Sequence, residues 1–220
     1  MLLPEDDHIL HRVGVIGDIH CEDEALARVL HHFRTLQVDT ILSVGDITDG
    51  LGDVNRACML LREHNVFTVA GNHDRWTMME SMRTLPNATP KADLADEHHA
   101  WLQQLPKTIT FKTPMGALLL CHGLGENDMA MVRSSHDGYA IEANLDLQTL
   151  IKSKRYRFIV NGHSHEPMVR TIKGVTFING GTLDRHDRQV CTVVNFDKAE
   201  VDFYDIDEDT ISKAELFPLN

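Results

Sequence analysis

The chain lacks any Cys-x-x-Cys pair: its four cysteines, Cys21, Cys58, Cys121 and Cys191, are widely scattered. That spacing argues against a zinc ribbon and against a secreted disulfide framework, so reduced thiols are expected. Long apolar runs are missing too. Stretches such as Ala117 to Cys121 are strand-sized and far too short to cross a bilayer. The first twelve residues carry Glu5, Asp6 and Asp7 and have neither the basic start nor the apolar centre of a signal peptide, which points to a cytoplasmic protein. A positive balance is also absent. With a formal net charge of −12 the surface disfavours a broad grip on nucleic acid or an anionic membrane, and no extended nucleic-acid binding is expected. A small anionic substrate requires a local positive centre that overrides the global sign. No internal repeat, low-complexity tract or linker divides the 220 residues, of which 42% are hydrophobic, and one domain spanning 1–220 is expected.

What the chain does have is histidine, 14 in all, and polar groups where strands should end. Arg12 to Asp18 reads as a short Val/Ile strand closed by Asp18-Ile19-His20, two polar side chains at i and i+2 that share one side of an extended backbone. Asp23 is placed to cap a helix reaching about Leu36, with Ala25, Leu26, Val29, Leu30 and Phe33 on one face. Thr40 to Val44 is a second strand and runs into Gly45-Asp46-Ile47-Thr48-Asp49-Gly50. A helix from Asp53 to His64 and a third strand from Val66 follow, ending in Gly71-Asn72-His73-Asp74. Strand and helix alternating in this way predict an α/β fold whose ligands gather at the carboxyl edge of a parallel sheet.

Arg75 to Leu105 reads as helical, with Trp76, Met79 and Met82 as a core or lid stripe, Pro86 and Pro90 as breaks, and a helix from about Asp96. A hairpin around Thr113-Pro114-Met115-Gly116 delivers His122, and the residues from Gly123 to Gly138 read as a long surface loop. A helix at Leu145 to Ser153 precedes a strand ending in Asn161-Gly162-His163-Ser164-His165. A hairpin about Lys173-Gly174 and runs at Val190 to Phe196 and Val201 to Ile206 predict a mostly antiparallel second half.

Five strand exits therefore contribute Asp18, His20, Asp46, Asn72, His122, His163 and His165. Oxygen and nitrogen ligands without thiolate suit a pair of divalent transition ions, of the zinc, iron, manganese, nickel or cobalt group, better than calcium. One such pair alone is more often incidental than not; five in order are a site.

These motifs resemble the calcineurin-like metallophosphoesterase superfamily, whose pattern is Asp-x-His, Gly-Asp-x-x-Asp, Gly-Asn-His-Asp/Glu, a lone His and Gly-His-x-His. Here they stand in that order from Asp18 to His165, and Leu94 to Pro106 also looks like the small bacterial members. The resemblance implies a four-layer fold, a double β-sandwich of mixed sheets flanked by helices. It implies that Asp18, His20, Asp46 and His165 hold one ion, that Asp46, Asn72, His122 and His163 hold the other, and that a bridging hydroxide attacks a phosphate mono- or diester of a small molecule or nucleotide. It further implies that His73 protonates the leaving group and that Asp49 orients the His73 ring, while Asp74 fixes the loop or caps a helix.

Where phosphoprotein phosphatases of the superfamily carry an arginine after the second aspartate, this chain has Gly50, which lowers that reading; Arg75 or Arg133 are the candidate substitutes as phosphate contacts. A non-catalytic protein-binding scaffold is the alternative of a different class. Cys21 and Cys121 read as small core residues, and Gly45, Gly71, Gly162 and Gly180 as turn formers.

Overall fold

A computed structural model describes residues 8–219; the acidic Glu5-Asp6-Asp7 stretch lies outside the described residues. The elements are β1 (Arg12–Ile16), α1 (Asp23–Thr35), β2 (Thr40–Ser43), α2 (Val54–Glu63), β3 (Phe67–Thr68), α3 (Asn72–Met78), α4 (Asp96–Leu102), β4 (Thr108–Thr113), β5 (Gly116–Cys121), α5 (Gly138–Glu142), α6 (Leu145–Ser153), β6 (Phe158–Asn161), β7 (Met168–Ile172), β8 (Val175–Asn179), β9 (Val190–Asn195), β10 (Glu200–Ile206) and β11 (Ile211–Pro218). They form a six-stranded sheet in the order β11-β10-β9-β1-β2-β3 and a five-stranded sheet in the order β4-β5-β6-β8-β7.

Alternation along each strand builds the layers. Val13 and Val15 of β1, Leu42 of β2, Leu118 and Leu120 of β5 and Phe158 and Val160 of β6 meet between the two sheets. Ile16, Cys191 and Val193 point the other way, under Leu26, Val29, Phe33, Ala57 and Leu61 of α1 and α2. On the far side Leu119, Ile159 and Phe177 are covered by Ile141 of α5 and Leu147 of α6. Each fully buried side chain of this size contributes about 1.5–3 kcal/mol of transfer free energy. The result is the α/β/β/α sandwich with two mixed sheets. Gly14 interrupts β1 because the Phe33 ring lies on it: a Cβ there would sit 2.5 Å from the ring.

Several expectations need correction. Asp23 does not cap α1; it is the first helical residue, and its carboxylate instead accepts from the Asp53 amide at 2.9 Å, tying the starts of α1 and α2 together. Asp53 is the true cap of its helix, accepting from the amides of Asn55 and Arg56. The second half is mostly antiparallel, as expected, but not throughout. β5, β6 and β8 run parallel, and β9 crosses back to pair antiparallel with β1 in the first sheet. β11 had no period to find, because its residues are largely exposed. The Trp76, Met79 and Met82 stripe does not form: α3 ends at Met78, and Met79 and Met82 are 67% and 51% exposed. Among the described residues no helix is long and apolar enough to cross a membrane.

Candidate metal centre and active site

All five motifs arrive at one edge of the sandwich. β1 delivers Asp18 and His20, β2 delivers Asp46 and Asp49, β3 runs into Asn72 and His73 at the start of α3, β5 delivers His122, and β6 delivers His163 and His165. Ligand atoms of Asp18, His20 and His165 lie within 4.8 Å of one another, as do those of Asp46, His122 and His163. Asn72 joins the second group, its Oδ1 2.9 Å from His122 Nε2. The chain reaches these positions through a strained backbone. His20, Cys21, Asp46, Asp49, His163 and His165 all have positive φ, a conformation that costs a non-glycine residue roughly 1–3 kcal/mol.

The hydrogen bonds fix how each ring faces the centre. His20 Nδ1 donates to the Asp49 carbonyl at 2.9 Å, and His165 Nδ1 faces the Asp187 carboxylate at 2.7 Å. With each Nδ1 engaged, the two Nε2 atoms face each other across 3.1 Å. A cation bound between them would satisfy both nitrogens. His163 Nε2 is buried without any hydrogen-bond partner, and Asp18 and Asp46 are buried carboxylates beside it. Orphaned imidazole nitrogens next to buried carboxylates fit divalent transition ions, as the donor set requires.

Electrostatics point the same way. Burial pushes Asp46 upward, but His122, His20 and His73 outweigh it and hold its carboxyl well below the ordinary range. For His122 burial lowers the imidazole, yet Asp46 and Asp18 outweigh that and raise it to about 10. The two carboxylates thus demand positive charge. Asp18 is anchored by the His163 amide at 3.0 Å and Asp46 by the His73 amide at 2.8 Å. Gly71 and Gly162 are more than turn formers. A Cβ on Gly71 would fall 2.0 Å from Asp46 Oδ1, and one on Gly162 would fall 2.6 Å from Asp18 Oδ2.

His73 stands beside this cluster, its ring edge-on to His20 and 22% exposed. Its Nδ1 faces Asp49 Oδ2 at 2.8 Å, which leaves Nε2 free. The ring borders a cavity of about 290 Å³ walled by Glu22, Leu51, Leu85, Asn87 and His186. Asp49 has further partners that nothing in the sequence announces. Arg83 contacts both of its oxygens, at 2.8 and 2.9 Å, and the Thr89 amide donates to it at 2.8 Å. Burial pushes the Asp49 carboxyl up, but the bonds from His73 and Arg83 bring it down to about 2. Asp74, three residues into the same motif, accepts from the amides of Gly71, Ile47 and Thr48. Burial and the neighbouring Asp46 push it up to about 6, and it serves as a loop brace.

Neither of the two expected phosphate-gripping arginines borders the cavity. Arg75 makes a two-pronged pair with Asp128, at 2.6 and 2.9 Å, that pins the 123–137 loop to α3. Arg133 lies 4.0 Å from Glu166, and its backbone carbonyl accepts from Arg170. Asp187, which orients His165, sits in an exposed stretch with no motif to mark it.

A four-layer sandwich with buried carboxylates and imidazoles converging at one edge is the architecture of metallophosphoesterases. The sequence profile of the calcineurin-like phosphoesterase superfamily domain matches residues 12–199, and the chain belongs to that superfamily. Phosphoester hydrolysis is the reaction class this membership supports. A metallophosphoesterase from Sphaerobacter thermophilus superposes with a TM-score of 0.66 at 21% identity, over 90% of this chain and 89% of that one. A protein from Pyrococcus horikoshii does so with a TM-score of 0.74 at 16% identity, over the same shares of the two chains, 90% and 89%. An uncharacterised protein of Methanocaldococcus jannaschii is 37% identical over 62 residues, 28% of this chain, and the match spans only 26% of that relative's length.

Proposed function

We propose that the whole chain acts as one domain, a binuclear metal-dependent phosphoesterase that hydrolyses mono- or diesters of small molecules or nucleotides. Asp18, His20 and His165 would hold one divalent ion, Asn72, His122 and His163 the other, and Asp46 lies between the two sets. The observation that carries this reading is the Nε2-to-Nε2 contact of His20 and His165 at 3.1 Å, beside the orphaned Nε2 of His163. When bound, the two ions supply an activated water and positive charge against the phosphate oxygens. That local charge in a shielded cleft accounts for an anionic substrate on a protein of net charge −12.

The remaining chemistry belongs to the chain. Water forms the new bond to phosphorus and releases one proton to solvent as the bond to the leaving oxygen breaks, and that oxygen takes the proton carried by His73 Nε2. Asp49 accepts from Nδ1–H and holds the ring so that, when the imidazole carries its second proton, Nε2–H faces the cavity, as carboxylates do for catalytic histidines. His73 is then reprotonated from solvent through the cavity it borders.

The test combines elemental analysis with turnover. Two divalent ions per chain are expected, and His73→Ala should keep both while losing roughly 10²–10⁴-fold in turnover of alkyl esters. Full activity in that variant overturns the acid role. No hydrolysis of any ester with manganese, iron, nickel or zinc supplied overturns the enzymatic reading in favour of a binding scaffold.

A further inference from the structure

The segment that follows α3 has no regular structure between Met79 and Pro90, yet it is closed tightly onto one side chain of the site. Arg83 Nη1 and Nη2 reach Asp49 Oδ1 and Oδ2 at 2.8 and 2.9 Å, a fork-to-fork geometry that fixes the plane of the carboxylate. The guanidinium is itself held, since Nε donates to the Ser81 carbonyl at 2.7 Å and Nη1 to the Thr89 carbonyl at 3.1 Å. Thr89 completes the ring: its amide donates to Asp49 Oδ1, and its hydroxyl accepts from the Asp49 amide, both at 2.8 Å. A Thr77 hydroxyl adds a contact to Asp49 Oδ1 at 3.2 Å. Asp49 therefore has one lone-pair direction left for His73.

Position 50 cannot provide this guanidinium. A Cβ on Gly50 would meet the His20 carbonyl oxygen at 1.8 Å, so the residue directly after Asp49 is closed to any side chain. The cation comes instead from 34 residues further along the chain. That same segment contributes Leu85, Pro86 and Asn87 to the wall of the cavity beside His73.

We propose that Arg83 is a positioning residue for leaving-group protonation: through the Asp49 carboxylate it fixes the His73 ring toward the cavity, and with Thr89 it holds the 85–87 wall that faces the leaving group. The inference rests on the assignment of His73 as the acid. Arg83 does not line the cavity beside His73, and its bonds go to Ser81, Asp49, Thr77 and Thr89 rather than to the candidate metal ligands, so its effect should fall on those esters whose leaving oxygen needs a proton. A bidentate contact of this kind is specific to a planar guanidinium; a lysine ammonium cannot span both oxygens.

The test is a leaving-group series on the metal-loaded full chain. Substituted phenyl esters whose phenols span pKa values of about 7 to about 10 are compared for wild type, Arg83→Ala, Arg83→Gln, Arg83→Lys and His73→Ala, with metal content and melting temperature recorded for each. In Arg83→Ala the loss of kcat should be at least about tenfold greater for the phenyl than for the nitrophenyl ester, with two ions retained and KM little changed. Arg83→Lys should share the defect, and added guanidinium should restore Arg83→Ala selectively on the phenyl ester. Arg83→Gln keeps one donor to Asp49 and takes the place of the alanine variant should that fail to fold. Equal losses across the series in the Arg83 variants, alongside a steepened series in His73→Ala, overturn the positioning role and leave the acid assignment standing. An unchanged series in His73→Ala overturns both.

Discussion

The two sheets bring different chemistry to the same edge, and they hold it differently. The first sheet supplies the carboxylates Asp18, Asp46 and Asp49 together with Asn72, His20 and His73; the second supplies only imidazoles, those of His122, His163 and His165. The carboxylates are buried and each is anchored by backbone amides, whereas His165 is a quarter exposed and is oriented by a surface aspartate. Bonds that cross between the sheets join the two halves: the His163 amide donates to Asp18, and His122 Nδ1 donates to the Val44 carbonyl at 2.8 Å. Asp18 is thus both a candidate ligand and a fastener between sheets, and His122 fastens them from the other side. The His165 ring makes no such bond and is held from the surface by Asp187.

That contrast can be broken most directly at Asp46. Asp46→Asn should lower kcat by roughly 10³-fold or more and leave fewer than two ions per chain by elemental analysis, because the residue stands between both ligand groups. On the other sheet His163→Ala should cost one ion and roughly 10²-fold in kcat, with the second ion and the fold intact. If the two variants lose metal equally, the asymmetry between the sheets is wrong. Chelation should act on both sheets at once. Removing ions present at a thousandfold excess over Kd withdraws about 4 kcal/mol for each ion, a fall in melting temperature of roughly 8–16 °C per ion by calorimetry.

Smaller effects sharpen the comparison. Gly71→Ala presses a methyl group onto Asp46 and should destabilise by about 1–3 kcal/mol in urea titration, with weakened metal uptake. Asp49 gives the smallest signal. Its carboxyl is held at about 2 in the folded chain, below the unfolded value of about 3.9, so the folded state binds its proton later on acidification. Its stabilisation is complete above pH ~4 and disappears as pH falls through ~2. In metal-free protein Asp49→Asn should remove that component of the acid transition and flatten the stability curve between those limits.

The sequence carried the first half of this architecture well, because each motif there follows a short Val/Ile run and each helix shows one apolar face, as α1 does from Ala25 to Phe33. Its local signals ended where the information was not local. β5 and β6 read as ordinary strands, but whether they pair parallel is decided by a crossover through α5 and α6 that no period records. Arg83 sits among Ser, Thr, Pro and Asn with no pattern, and only the folded chain shows that it meets Asp49. Asp187 is equally unmarked. Arg75 is a cation beside a motif, and its pairing with Asp128 from a distant loop is likewise invisible in the sequence. Asp74 and Asp49 lie in similar acidic motifs, and what separates them is the presence of Arg83 and His73 on Asp49 and only backbone amides on Asp74.

The pairing of β1 with β9 sets an order of events for a nascent chain. Arg12 lies opposite Asn195, so the strand carrying Asp18 and His20 has a neighbour on one side only until the chain has left the ribosome as far as β9. At 5–20 residues per second that wait is on the order of ten to forty seconds. During that interval the Val13 and Val15 face and an open sheet edge are available to chaperones or to other chains, and the metal-binding edge of the first sheet is complete in composition but not in shape.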